Sequence, residues 1–229
     1  MALTDRTDYD GHGLTEDELL ATPLEQINRW VTEASARHQE HGDVPEPMAL
    51  SVATVDASGQ PDVRTVLMRF LEPRGIGFLT NTGSAKGVQI AGNERIAASL
   101  TWPSMFRSIR FRGVAVAVSA DDVQGYFAAR PWASRISAWA SAQSQPCESR
   151  QALESAYQMY ADRFPDHGAA TDVPVPPLWG GYWLEPRRVE FWAGRPNRLH
   201  DRLVLECNGD GAQGDLSDAS TWSMQRLQP

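Results

Sequence analysis

The sequence predicts a mostly β fold with flanking helices (α+β), built on an antiparallel barrel. Three observations carry that expectation. Runs rich in β-branched residues follow one another through turn signals rather than crossover helices, which favours antiparallel pairing. A length of 229 residues suits a single all-β barrel domain with helical additions. No G-x-G-x-x-G follows a strand, so a dinucleotide-binding parallel sheet has no support.

The elements follow in order. Residues 1–13 are polar and rich in Gly and Asp, and read as a flexible arm ahead of one domain spanning 14–229. Thr15 with Glu18 forms a capping box, and Pro23 suits the first turn of a helix. In that helix Leu24, Ile27, Trp30 and Val31 recur at helical spacing. The stretch "MALSVATVDASGQPDVRTVLMRFLEPRGIGFLTN" then reads as three strands separated by "DASGQP" and "EPRG" turns. A short helix and a strand follow in "SAKGVQIAGNERIAASLTWP". "FRSIRFRGVAVAVS" is a long strand with Ser108, Arg110 and Arg112 on one face. Residues 119–165 are helical in character, starting at a Ser cap. "VPVPPLWGGYWLEPRRVEFWAG" carries Pro punctuation and then a strand, and "HDRLVLEC" and "WSMQRLQP" are further strands.

The formal net charge of −8 argues against wholesale nucleic-acid binding, so any anion site must be a local gathering of Arg and Lys. Cys147 and Cys207 lack a CxxC spacing and read as two reduced thiols, without a metal or disulfide role. There is no apolar segment of signal-peptide or membrane-spanning character, so a cytoplasmic protein with no membrane partner is expected.

Four segments could carry chemistry. In "VRTVLMRF", Arg64, Val66 and Met68 share one strand face and Thr65, Leu67 and Arg69 the other; an ordinary strand with charges at its rim is an equal reading. In "TNTGSAKG", Ser84 caps a helix with Lys86 in its first turn, a natural phosphate cradle though a common loop type. In "YFAARPWASRISAWASAQS", Tyr126 and Arg130 share a helix face and Ser134 follows the proline, so all three could bond one phosphate. Trp132 and Trp139 read as core or interface. Read as a strand, "RLHDR" puts Arg198, His200 and Arg202 on one face, near Trp192. A histidine between two arginines resists protonation unless an anion is bound.

Taken as an ordered series, "RTVLMR", "FLTNTGSAKG", "YFAARPWASRISAWASAQS", "WGGYWLEPRRVEFWAGRPNRLHDR" and "RLQP" resemble the pyridoxine (pyridoxamine) 5′-phosphate oxidase family from the first helix to the last residue. The resemblance implies a split β-barrel, a homodimer, and FMN at the subunit interface. It assigns FMN contacts to Arg64, Thr65, Val66, Leu67, Met68 and Arg69. Leu79, Thr80, Ser84, Lys86, Gln143, Ser144, Trp192 and Arg202 join them, with Ser108 where the family commonly has Gln. It assigns the substrate phosphate to Arg69, Tyr126, Arg130 and Ser134, and chemistry beside the pyridine ring to Arg198 and His200. Arg6 and Tyr9 of "DRTDY" stand where the family has residues that cover the substrate. Arg69 replaces a Lys and Ala85 an Arg of the family pattern; the first keeps the charge but changes its geometry. The implied activity is oxidation of pyridoxine or pyridoxamine 5′-phosphate by O2. The alternatives are a relative acting on a phenazine precursor or other reduced heterocycle, and a non-catalytic carrier of flavin or pyridoxal phosphate. Eight tryptophans in so small a chain are a further, weaker pointer to a dimer interface.

Overall fold

The computed structural model describes residues 8–209 and 214–229. Strand pairing begins where the sequence alternates. In β1 (Ala49–Val55), Leu50, Val52 and Thr54 are buried while Ser51 faces out. Gly59, at φ 87°, turns the chain into β2 (Pro61–Leu67), and the Asp56 carboxylate accepts the N–H groups of Ser58 and Gln60 across that turn. Then come β3 (Phe70–Glu72), β4 (Gly75–Asn81), β5 (Arg95–Trp102) and β6 (Arg107–Ala117). The long β7 (Trp179–Ala193), β8 (Asp201–Cys207) and β9 (Trp222–Arg226) complete the sheet.

All pairings are antiparallel, in the order β2-β1-β5-β6-β7-β4-β3. Its two ends, β2 and β3, are consecutive pieces of chain joined by Met68 and Arg69. The Met68 N–H donates to Met48 and the Arg69 N–H to Gly77, so the path curls back on itself and closes. The expected continuous strand "VRTVLMRF" is therefore two strands with a corner, which buries Met68 in the core and leaves Arg69 exposed.

β7 is where the barrel splits. Residues 179–184 pair with β4 and residues 188–193 with β8, while β6 spans the fork, pairing from Tyr182 to Ala193. Pro186 sits at the fork, in a position normally closed to proline in a central strand. It is tolerated because the β6 register shifts there, between Arg112 and Gly113. Gly113 is required at this crossing: a Cβ would lie 2.0 Å from the Glu185 carbonyl oxygen.

The helices flank this sheet. α1 (Pro23–His41) starts at a Thr22–Glu25 capping box with Pro23 at N1, and buries Ile27, Trp30, Val31 and Ala34. Trp30 meets Phe191 of β7 edge-on at 5.5 Å. The Thr15–Glu18 pair caps only a 3-10 turn, Glu16–Glu18. α2 (Ala85–Gly92) follows β4. α3 (Ala120–Ala129), α4 (Trp132–Ala140) and α5 (Arg150–Arg163) form an insertion between β6 and β7 around Phe127, Ile136 and Val173. Trp132 and Trp139 donate their indole N–H groups to the carbonyls of Phe164 and Pro174, as core residues do. Trp30, Trp102, Trp183 and Trp222 are buried too, so the tryptophan count lends no separate support to an interface. No helix among the described residues is long and apolar enough to cross a membrane.

The strand expected at 198–202 is overturned. Pro196–Arg198 is a 3-10 turn in which Asn197 and Arg198 hold φ of 57° and 63°, and β8 begins only at Asp201. Left-handed conformations cost non-glycine residues about 1–2 kcal/mol each, so the surrounding contacts must hold this turn. Asp201, at the start of β8 just after the turn, anchors the flanking chain. Its carboxylate accepts the Leu14 N–H (2.9 Å) and pairs with Arg195 and Arg226, and Arg226 also reaches Glu16. Burial pushes the Asp201 carboxyl up, but the bonds from Arg195, Leu14 and Arg226 outweigh it and hold the group below the usual range. Asp201→Ala takes from Arg195 its carboxylate and from Arg226 one of two, Glu16 remaining, and is expected to cost about 3 kcal/mol in urea unfolding. A loss below about 1 kcal/mol, the range of exposed pairs, would mean that Asp201 is not the anchor.

Candidate active site

A cleft of about 640 Å³ opens beside β2, the end of β4, the start of α2 and the α3–α4 turn. Its lining includes Arg64, Thr65, Val66, Leu67, Arg69, Leu79, Thr80, Lys86, Tyr126, Arg130, Ser134, Gln143 and Ser144, all singled out from the sequence. Four lining side chains are cationic (Arg64, Arg69, Lys86, Arg130) against one carboxylate, Asp62. A chain of net negative charge thus concentrates positive charge in its cleft.

One end is built around Lys86, which is only 6% exposed. Its Nζ donates to Thr80 Oγ1 (3.0 Å), Ser84 Oγ (3.1 Å) and Gln143 Oε1 (2.8 Å). All three acceptors are neutral, and no carboxylate pairs with Lys86 among the described residues. Burial, and secondarily the charge of Arg64, hold its pKa below the usual lysine value. Ser84 stands at the α2 N-cap as expected, but its hydroxyl makes no cap bond; it turns inward, donates to the Asn81 carbonyl and supports Lys86. Arg64 beside it pairs with Asp62 at 2.6 Å and donates to the Val52 carbonyl and to Gln89.

The other end is built from α3 and α4. The Ser119 cap starts α3 by accepting the Asp122 N–H. Arg130 is not on the helix face it was expected to share with Tyr126. It is the C-cap residue, with extended φ/ψ of −72° and 147°, as the following Pro131 demands. The turn at Pro131 still brings Tyr126, Arg130 and Ser134 to the same wall of the cleft, with Arg69 among its lining. The Arg130 Nη1 is buried and has no hydrogen-bond partner among the described residues. Its pKa is lowered, chiefly by burial.

A second group lies apart from this lining. Ser108 of β6 stands opposite Trp192 of β7, which stands opposite Arg202 of β8, so three expected flavin contacts form one row across the sheet. Arg202 lies bidentate on the buried Glu190 and donates to the Gln228 carbonyl (3.0 Å). His200 packs on Trp192 and Tyr9, with ring centroids 4.8 and 5.4 Å away. Its Nδ1 accepts the Arg195 N–H (3.1 Å), which leaves the neutral ring's proton on Nε2. Burial first, and Arg198 next, keep His200 below its ordinary pKa. Arg198 itself is exposed on its turn. Arg6 lies outside the described residues, and Met68, buried in the core, is not part of the cleft lining.

Three residues of this geometry were not singled out from the sequence. Asp62 and Glu190 are the carboxylates behind Arg64 and Arg202, and only the first was legible, as an i, i+2 neighbour on one strand face. The third, Trp179, lines the cleft beneath Arg130. It stands at the head of "WGGY", but a stack across 49 positions leaves no periodic signal.

Comparison with known proteins agrees with this geometry. A family model described as pyridoxamine 5′-phosphate oxidase matches residues 37–162. Another, described as the pyridoxine 5′-phosphate oxidase C-terminal dimerisation region, matches residues 179–229. A pyridoxine/pyridoxamine 5′-phosphate oxidase of Bordetella avium is 45% identical over 100% of both chains. One of Kineococcus radiotolerans is 41% identical over 98% of this chain and 97% of its own. Among solved structures, PhzG from Burkholderia lata, in complex with tetrahydrophenazine-1-carboxylic acid, superposes with a TM-score of 0.80 at 26% identity, covering 96% of this chain and 100% of that one. A pyridoxamine 5′-phosphate oxidase-related, FMN-binding protein from Nostoc punctiforme gives 0.62 at 20% identity, over 87% and 95%, and so shares the fold. With family models covering most of its length and relatives aligned end to end, this chain belongs to the pyridoxamine 5′-phosphate oxidase family.

Proposed function

We propose that the protein is a homodimeric, cytoplasmic, FMN-dependent oxidase that converts pyridoxine or pyridoxamine 5′-phosphate to pyridoxal 5′-phosphate. The alcohol and O2 give the aldehyde and H2O2; the amine also consumes water and releases ammonia. The observation that carries this reading is a cleft lined by two cationic groupings, Lys86 with Arg64 and Arg130 with Arg69. Each holds a buried donor that no carboxylate among the described residues satisfies: the Lys86 ammonium and the Arg130 Nη1. Buried charge of this kind calls for an anion. Two such places suit two phosphate groups.

The residues present fit FMN. Lys86 and Arg64 would hold its phosphate, with Thr65, Val66, Leu67, Leu79, Thr80, Ser84, Gln143 and Ser144 around it. When bound, FMN supplies the hydride acceptor and the means of reducing oxygen. Arg69, Tyr126, Arg130 and Ser134 would hold the substrate phosphate and so fix the pyridine ring by its tail. Arg198 and His200, with Ser108, Trp192 and Arg202, would reach this cleft from the partner subunit. There Arg198 would orient the substrate, and His200, neutral with Nε2–H as donor, would support it. Arg6 and Tyr9 would close over the ring, the arm 1–13 thus serving the single domain 14–229.

Purified protein loaded with FMN should form pyridoxal 5′-phosphate from pyridoxine 5′-phosphate, read by its absorbance, with one H2O2 per turnover. Absence of turnover with FMN bound would overturn the reading. The similarity to PhzG supports one alternative, a flavin oxidase of a reduced heterocycle. Turnover of tetrahydrophenazine-1-carboxylic acid in place of the pyridine would establish it.

A further inference from the structure

The arginines of this chain differ in what holds them. Arg64 has Asp62, Arg202 has Glu190, and Arg195 and Arg226 share Asp201. Arg130 has no ion pair among the described residues and lies instead on an aromatic face. Its guanidinium carbon is 4.4 Å from the centre of the Trp179 ring and 5.8 Å from that of Phe127. Trp179 is itself fixed. It packs at 65° against Phe127 (5.7 Å), its backbone N–H donates to the Pro176 carbonyl (2.9 Å), and β7 sets it opposite Asn81.

The difference has a chemical consequence. A carboxylate beneath Arg130 would neutralise it, occupy its N–H groups and repel an incoming anion. An indole face orients the planar fork through its quadrupole while leaving the charge and the donor edge available. Pro131 restricts the backbone of Arg130 and Trp179 restricts its side chain, so the guanidinium is held in place before any ligand arrives. Consistent with this, Nη1 is buried and has no hydrogen-bond partner among the described residues, and the same holds for the indole Nε1 of Trp179.

We propose that Trp179 is a positioning residue that presents Arg130 as an uncompensated cation and thereby sets the preference for a phosphorylated ligand. The proposal rests on the reading that Arg130 receives the substrate phosphate.

The test is a double-mutant cycle on the FMN-loaded protein with Trp179→Met, Trp179→Phe, Arg130→Ala and Trp179→Met/Arg130→Ala. Two readouts are taken: KM and kcat for pyridoxine 5′-phosphate, and the calorimetric Kd for pyridoxal 5′-phosphate. Trp179→Met should raise KM and Kd about tenfold, with kcat within about twofold, and Trp179→Phe should recover most of the loss. In the Arg130→Ala background Trp179→Met should add nothing, because the stack has no cation left to hold. Equal, additive losses in both backgrounds would overturn the proposal and make Trp179 a packing residue. If Trp179→Met fails to fold, the series Trp, Tyr, Phe decides, and a Kd that does not rise from Trp to Phe overturns it. An Arg130→Ala protein with unchanged KM and Kd would instead overturn the phosphate assignment itself.

Discussion

Lys86→Met protein is expected to fold normally and to lose FMN. The cause is the asymmetry of a buried cation. Lys86 is taken out of water yet receives only hydroxyl and amide oxygens from Thr80, Ser84 and Gln143. Without an anion its charge is a burden on the folded state, so an apolar side chain of similar length should leave the melting temperature unchanged or raise it. The charge-assisted bond to a phosphate is lost outright. At about 2–3 kcal/mol for such a bond, FMN affinity should fall about 30- to 150-fold, measured by quenching of flavin fluorescence. The pH dependence has a definite sign. Because burial and Arg64 lower the pKa of Lys86, its ammonium discharges at a lower pH than an ordinary lysine. Wild-type FMN affinity should therefore weaken as pH rises through that lowered value, and the variant should lack this alkaline decline. An unchanged Kd in Lys86→Met would remove Lys86 from the cofactor site.

The parts of this site that could be read from the sequence are those in which spacing alone sets geometry. "TNTGSAKG" places Lys86 two residues after Ser84 at a strand-to-helix junction, and the structure keeps that junction. "YFAARPWAS" keeps Tyr126, Arg130 and Ser134 on one wall, although Pro131 ends the helix one residue earlier than a shared helical face requires. The misreading at Arg198 has a definite origin. Arg-Leu-His-Asp-Arg alternates with the period of a strand, while Pro196 and two left-handed residues use the same positions to make a turn. The residues that escaped notice gain their meaning from pairing register. Glu190 matters because the sheet sets it beside Arg202 and Arg110, and Trp179 because β7 begins beneath the α3–α4 turn. The barrel was legible because hairpin succession is local, and the resemblance implied a split; where it falls, in β7 at Pro186 opposite Gly113, was not, because pairing register alone sets it.

Two inactive variants should restore activity when combined. Within one chain, the cleft lining takes in Lys86 and Arg130, whereas Ser108, Trp192 and Arg202 form a row across β6, β7 and β8 outside it. If one functional site needs both groups, a two-fold dimer supplies the cleft from one protomer and the row from its partner. Arg202→Ala removes the row's cation, leaves the buried Glu190 with Arg110 and Arg188, and should abolish activity as Lys86→Met does. In a heterodimer of the two variants, one site receives both defects and the other neither. Co-expression with two different tags and purification through both should then yield protein with about half the wild-type turnover and flavin content per dimer, since one of two equivalent sites is intact. Each homodimeric variant, purified alongside, should stay near background. A heterodimer as inactive as its parents would mean that each chain completes its own site. The row across β6–β8 would then serve some other purpose, and the partner-subunit roles of Arg198, His200 and Arg202 would fall with it.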